Sequence, residues 1–192
     1  MLEVGLRERK KERTRDRLVA EALRLFSERG YEGASIEEIA AAADVSPRTF
    51  FRYFPTKADV VFADLPARLE AVRDALAADR FVHHALRDVV EHSLDYLGDP
   101  ELLAMRNRLV LANPPLRARL LEFIFEVETM VTSAYARERD DPLVARLAAA
   151  ITAGSARAAL VTWTMDGGDL REIVRRSFAA TAPGVRRVLR AG

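Results

Sequence analysis

Arg48 and Arg52 stand one helical turn apart, with Thr49 and Phe51 between them and Tyr53 just beyond. Two guanidinium forks, a hydroxyl and aromatic rings in so short a stretch suit nucleic acid. Arg matches the acceptor pair on a guanine edge, and Thr reaches phosphate oxygens or a thymine methyl. Catalytic chemistry has less to work with. Cysteine is absent, which excludes thiolate nucleophiles, thiolate metal ligands and disulfides. His84, Asp88, Glu91 and Asp95 share one helical face that resembles a metal site. However, the Glu-x-x-His spacing is missing, and no second helix of that kind accompanies it. Ser155 follows Gly154 but lacks the further glycine and the strand of a nucleophile elbow. The expectation is a protein that is not an enzyme and carries no cofactor, with no role assigned to His83, His84 or His92.

The elements that must hold the arginines outward are legible on either side. Ser35-Ile36-Glu37-Glu38 is a capping box that opens a short helix, with Ile36, Ile39, Ala40 and Ala43 on its inward face. Asp44-Val45 makes a tight turn. Ser46 caps the next helix, and Pro47 takes its first position, where a missing N–H costs nothing. Phe50 and Phe54 are spaced to pack inward against Ile39 and Val45. Pro47, Arg48, Phe51 and Arg52 then face out, with Thr49 and Tyr53 on the flanks. Pro55 stops this helix, and Thr56 with Asp59 caps the one that follows. Two short helices joined by three or four residues form a helix-turn-helix, whose second helix can enter a major groove. The same spacing also occurs in three-helix units that never meet DNA. An earlier helix carries Leu18, Ala22, Leu25 and Phe26 on one face, and Gly30 supplies its left-handed stop. Ahead of it lie seven basic residues between Arg7 and Arg17, against three acids. That excess suits phosphates, and equally a solvated helix start laced with ion pairs.

Helical spacing continues to the end, and no period-2 strand pattern appears. A long helix is expected from Lys57 to about Ala78, kinked or split at Pro66. The next runs from His83 to Leu97 and stops at Gly98. Later starts are marked by Asp99-Pro100, by Asn113-Pro114 (ending near Arg139), by Asp141-Pro142 (ending at Gly167-Gly168) and by Asp169. Pro183-Gly184 is expected to interrupt the last helix. The fold class is all-α, with about nine or ten helices. Residues 1–57 are expected to form the DNA-binding domain with a basic N-terminal arm, and 58–192 a ligand-binding and dimerisation domain. Of the 192 residues 49% are hydrophobic and 31% charged, with net charge +1. An acid-bearing start and the lack of 18 uninterrupted apolar residues predict a cytoplasmic protein with no membrane partner.

The run from Thr14 to Lys57 resembles the DNA-binding domain of TetR-family repressors. The resemblance rests on Ala22-Leu23-Arg24-Leu25-Phe26, Gly30-Tyr31, Ser35 to Ala40, and Val45-Ser46-Pro47-Arg48-Thr49-Phe50-Phe51-Arg52-Tyr53-Phe54-Pro55-Thr56-Lys57. It implies a ligand-released regulator that binds a palindromic operator in double-stranded DNA as a homodimer. It further implies that Ser35 contacts a phosphate, that Arg48 and Thr49 face bases or backbone, and that Phe51 and Tyr53 touch the backbone. Lys57 would meet a phosphate at the start of the fourth helix. Pro47 and Arg52 complete the outward face, and Lys10, Lys11 and Arg13 are candidates to reach the minor groove or flanking phosphates. Two residues depart from the family pattern. Phe51 replaces a phosphate-binding tyrosine, so only apolar contact remains there. Asp44 replaces a turn glycine, though Asp tolerates a left-handed backbone better than most residues.

In that family the last two long helices build a four-helix dimer interface. Here they offer Leu147, Ala150, Ile151, Gly154, Ala158, Val161, Ile173, Val174 and Phe178, which could equally be internal core. Ala112 to Leu120 and the Trp163 region resemble regulators of this family with acyl-CoA-like ligand domains, the mycofactocin-type regulators among them. That resemblance implies an elongated amphipathic effector in an apolar tunnel with a cationic anchor. Phe62, Met105, Leu109, Phe123, Val127 and Trp163 could line the tunnel, and Arg106 or Arg108 could hold a phosphate. The same apolar residues also fit ordinary core, and a DNA-binding dimer without any effector is the alternative.

Overall fold

The computed structural model describes residues 2–78, 81–97, 100–137 and 140–191, with side chains over 9–78, 81–92, 103–137 and 140–190. Among them all regular structure is helical, in ten helices. In chain order these are α1 (Leu2–Gly33), α2 (Ile36–Ala42), α3 (Pro47–Tyr53), α4 (Lys57–Val61), α5 (Leu65–Ala77), α6 (Val82–Leu97), α7 (Pro100–Ala112), α8 (Pro114–Ala136), α9 (Pro142–Asp166) and α10 (Leu170–Ala191). The helix boundaries expected at Gly98, Asp99 and Arg139 lie outside the described residues.

The chain divides into two compact units. The first comprises Met1–Ala63 with Leu109–Arg117, and the second Asp64–Arg108 with Ala118–Gly192. In the first unit, Leu18, Ala22, Leu25 and Phe26 of α1 are buried, as their spacing on one face requires. Gly30 breaks the regular helix at φ 76°, and Tyr31 then turns its ring back to within 5.2 Å of the Phe26 ring. Ile39 and Ala40 of α2, Phe50 and Phe54 around α3, and Val60 and Val61 of α4 complete this core.

The second unit has a continuous apolar core drawn from α5 through α10, with Val131, Tyr135, Ala145, Ala148, Val174 and Phe178 among its most enclosed members. α9 and α10 lie against each other, and α6 packs on both. Asp141 caps α9 by accepting from the N–H groups of Leu143 and Val144. α9 is long and apolar enough to cross a membrane by length and composition alone. Here its apolar character is put to use in the core, where Val144, Ala148, Ala159 and Trp163 are buried.

Two prolines behave differently. Pro66 lies in the first turn of α5, where the lost N–H has no helical partner to miss, so it opens a helix after α4 has already ended. Pro183 was expected to interrupt the last helix, and it does not: α10 runs through it. The reason is the face that α10 buries. Val174, Phe178, Ala182, Val185 and Leu189 form one inward stripe that continues across position 183. Pro183 and Ala179, whose carbonyl loses its intrahelical donor, are both exposed, so water can take the place of the missing N–H.

Candidate nucleic-acid interface

α3 is only seven residues long, and two things hold it. Ser46 caps it, with its hydroxyl 3.2 Å from the Thr49 N–H and 3.0 Å from the Thr49 hydroxyl. Phe50 anchors it from below, fully buried, with the Phe54 ring 5.7 Å away. Asp44 makes the preceding turn with φ 56°, the left-handed conformation expected where a glycine is usual. The turn is closed by the Val45 N–H donating to the Ala40 carbonyl at 2.9 Å. Pro47, Arg48, Phe51 and Arg52 are consequently exposed, and Thr49 and Tyr53 lie half-buried on the flanks.

The electrostatics of this face differ from those of the neighbouring surface. Arg24 is paired with Glu21 and Glu28, and Arg29 with Glu38. Neither Arg48 nor Arg52 has a carboxylate partner among the described residues; Arg52 instead lies 5.3 Å over the Tyr53 ring. Phe51 is half exposed, an aromatic ring left in water on the same helix. Such a face can accept phosphate oxygens and base edges without first giving up an ion pair.

Ser35 and Lys57 already hold structural bonds. Ser35 closes the capping box, accepting from the Glu38 N–H while its own N–H donates to the Glu38 carboxylate at 2.9 Å. That backbone bond, with the Ser35 hydroxyl, holds the Glu38 carboxyl below its ordinary range. Lys57 donates to the carbonyls of Tyr31 and Ala34 at 2.7 and 3.1 Å, with its ammonium 4.4 Å over the Tyr31 ring. This clamp between the ends of α1 and α4 was not anticipated from sequence. A half-buried lysine beside orphan helix-end carbonyls is the signal that could have revealed it.

Lys10, Lys11 and Arg13 are exposed, but they do not form an arm ahead of the first helix. α1 already runs from Leu2, because the segment is built of good helix formers without proline. Arg15 turns from α1 to donate to the Ala63 carbonyl, and its guanidinium lies 5.8 Å from the Phe54 ring.

The residues considered for an effector site fall in two groups. Phe62, buried at the end of α4, and Leu109 belong to the first unit. Met105, Arg106, Phe123, Val127 and Trp163 belong to the second, where Phe123, Val127 and Trp163 share the apolar core. Arg108 is exposed, whereas Arg106 is buried and donates to Asp64 at 2.7 Å. Of the residues weighed for a dimer face, Val174 and Phe178 are corrected to the unit's own core, since they belong to the inward stripe of α10. Leu147, Ala150, Ala158 and Val161 remain exposed on α9.

The histidines are distributed without a metal arrangement among the described residues. His84 stacks edge-on against Phe81, and Asp88 pairs with Arg87. Glu91 pairs with Arg175, and the side chain of Asp95 lies outside the described residues. His83 is different: it is fully buried, and its Nε2 lies 3.0 Å from the Phe178 carbonyl. A carbonyl only accepts, so Nε2 carries the proton and Nδ1 accepts from the Thr152 hydroxyl at 3.0 Å. Tyr135 in turn donates to Thr152 at 3.0 Å. Burial lowers the His83 pKa, and the Phe178 bond only partly opposes that shift.

Comparison with known proteins matches this geometry. A family model for bacterial regulatory proteins of the tetR family matches residues 18–63, and one for the MftR C-terminal domain matches residues 66–186. The HTH-type transcriptional regulator TcmR of Streptomyces glaucescens is 51% identical over 72 residues, which are 38% of this chain and 32% of TcmR. The chain spans about a third to a little over half of the length of the curated relatives it matches. Among solved structures, the fatty acid degradation regulator FadR from Bacillus halodurans is 22% identical with a TM-score of 0.63, covering 85% of this chain and 95% of its own. FadR from Bacillus subtilis, solved with stearoyl-CoA, is 20% identical with a TM-score of 0.62 over the same shares. At these identities the two structures establish the fold alone.

Proposed function

Because the chain belongs to the TetR family of bacterial regulatory proteins, we propose that it is a DNA-binding transcriptional repressor, acting in the cytoplasm as a homodimer on a palindromic operator and released by a small-molecule effector. The observation that carries this reading is α3, an exposed helix whose two arginines have no carboxylate partner. DNA contacts fall within 1–57, with Arg48, Thr49 and Arg52 at base edges and Ser35, Pro47, Phe51, Tyr53 and Lys57 along the backbone. Lys10, Lys11 and Arg13 reach flanking phosphates from α1. Lys57 keeps its carbonyl bonds and offers its remaining N–H.

Residues 58–192 provide the dimer and the effector site. The dimer reading is supported by the outer face of α9, where Leu143, Leu147, Ala150, Gly154, Ala158, Val161 and Met165 recur every three or four residues, all exposed except the half-buried Gly154. The effector is an elongated, mostly apolar molecule of the acyl-CoA-like class, for which the MftR-type C-terminal match and the stearoyl-CoA seen in the Bacillus subtilis FadR structure are the support. Release then follows from a difference in effector affinity between the DNA-competent dimer and another conformation.

Selection of preferred sites from random double-stranded DNA by the purified protein tests the central reading. Enrichment of an inverted repeat with half-sites about one helical turn apart is the expected result. A pool that shows no enriched sequence would overturn it.

A further inference from the structure

In the second unit, two largely buried guanidiniums share a single carboxylate. Arg106 of α7 donates to Asp64 Oδ1 at 2.7 Å, and Arg68 of α5 stands 3.5 Å from Oδ2. The Arg106, Arg68 and Asp64 side chains are only 11%, 20% and 21% exposed. Neither arginine has another acidic partner among the described residues. The Arg68 backbone N–H donates to the Asp64 carbonyl at 3.1 Å, but its guanidinium makes no hydrogen bond among the described residues and lies 5.6 Å from the centre of the Phe123 ring. Asp64 Oδ2 is itself buried without a hydrogen bond. Asp64 occupies the N-cap position of α5, yet its carboxylate makes no capping bond there.

The cluster therefore holds one positive charge in excess, largely withdrawn from water, and a planar group with five N–H donors and no acceptor. Burying charge without a partner is costly, and burial indeed weakens the hold of Arg68 on its proton, with Asp64 opposing that effect and Arg106 adding to it. One wall of the cluster is apolar, since Phe123 packs on the core that includes Leu103 and Val127. A site with one uncompensated cation beside an aromatic ring and an apolar core fits a molecule with one anionic head and an apolar body.

We propose that Arg68 and Arg106, bridged by Asp64, form the head-group end of the effector site, and that they bind one anionic group, a carboxylate or a phosphate, of an otherwise apolar ligand. This rests on the effector reading above and specifies its chemistry. The anion completes the donors of Arg68 and brings the cluster to neutrality. Asp64 competes with it for both guanidiniums.

Isothermal titration of the full-length protein with decanoate, decanoyl-CoA and decanamide tests this directly. Decanoate is expected to bind roughly ten- to a hundredfold more tightly than neutral decanamide. Arg68→Gln should remove most of that preference, weakening decanoate far more than decanamide. Asp64→Asn, which removes the competing carboxylate with almost no change of shape, should tighten decanoate several-fold. These opposite signs would not come from a purely structural salt bridge. Decanoyl-CoA tells the two sources apart, because the thioester has no carboxylate: if Arg68→Gln weakens it as much as decanoate, the cluster also takes a CoA phosphate, and if decanoyl-CoA is unaffected, the cluster takes the carboxylate of a free acid. Equal wild-type affinity for decanoate and decanamide overturns the inference, as does weaker decanoate binding in Asp64→Asn or no binding of either anionic probe. The effector reading is judged separately, by whether any of the three, charged or neutral, releases the protein from its selected operator.

Discussion

Arg48 and Lys11 are both exposed cations of the first unit, and they should fail in different ways. Arg48 lies in the first turn of α3, the helix proposed to read base edges, where a bidentate contact would distinguish one base from another by about 1–3 kcal/mol. Arg48→Ala is therefore expected to weaken binding to the selected operator roughly ten- to a hundredfold and to relax preference at one base position in each half-site. Lys11 lies on α1, away from the recognition helix in sequence, and a phosphate contact there carries no base information. Lys11→Ala should weaken specific and random DNA by the same factor and make the salt dependence shallower, by about one in the slope of log K against log salt for each lost contact. Fluorescence anisotropy across a salt series, on the selected site and on random duplex, measures both quantities. An Arg48→Ala protein that keeps its full base preference would remove α3 from the role of reader.

At the scale of elements, His83 is the point where α6, α8, α9 and α10 are tied by polar bonds inside an apolar core, through Tyr135, Thr152 and the Phe178 carbonyl. This arrangement requires the neutral ring. Burial keeps the folded-state pKa below the ordinary value near 6.5, and nearby His84, Arg186 and Arg87 push the same way. The unfolded chain thus takes up the proton first as pH falls. The contribution is complete above about pH 6.5 and is lost progressively as pH drops toward the folded-state value. Urea unfolding between pH 8 and pH 5 should show this decline, and His83→Gln should flatten it while lowering stability at pH 8. An identical pH profile in the variant would mean that other groups set the dependence. The sequence left this histidine without a role because its partners are 69 and 95 residues away, and only tertiary packing brings them together. The Arg68–Asp64–Arg106 cluster was hidden for the same reason, with Arg106 recognised as a possible anchor and its two partners missed. Local signals fared better. The boxes at Ser35 and Thr56, the Ser46-Pro47 start and the left-handed Asp44 are all decided within four residues of chain, and all appear as expected. Pro183 shows where local reasoning stops, since its helix-breaking tendency yields to an inward stripe that only the folded unit can reward.

For the whole molecule, the question is whether a second copy covers the outer face of α9. Gly154 lies in the middle of that face and inside a helix, where glycine costs about 1 kcal/mol relative to alanine. Its own chain does not need it there: a Cβ added at Gly154 would meet nothing within 4 Å, and the same holds for Gly184 on α10. A helical glycine with open space beside it gains nothing from the isolated chain, but it lets another helix approach closely. Leu143 and Met165, 63% and 68% exposed toward the two ends of the face, are large apolar side chains that association would cover. Gly154→Leu should therefore leave the fold of one chain intact, with an unchanged or slightly higher melting temperature when the protein is diluted to monomer. It should also weaken self-association at least tenfold, because the new side chains of the two copies meet at the seam. Operator affinity should fall with it, since two recognition helices are no longer held one turn apart, while binding to a single half-site should stay as it was. Sedimentation equilibrium of both proteins, read beside anisotropy on full and half operators, separates these effects. Unaltered self-association in Gly154→Leu would place the dimer contact on a different surface, and the exposed leucines of α9 would then need another explanation.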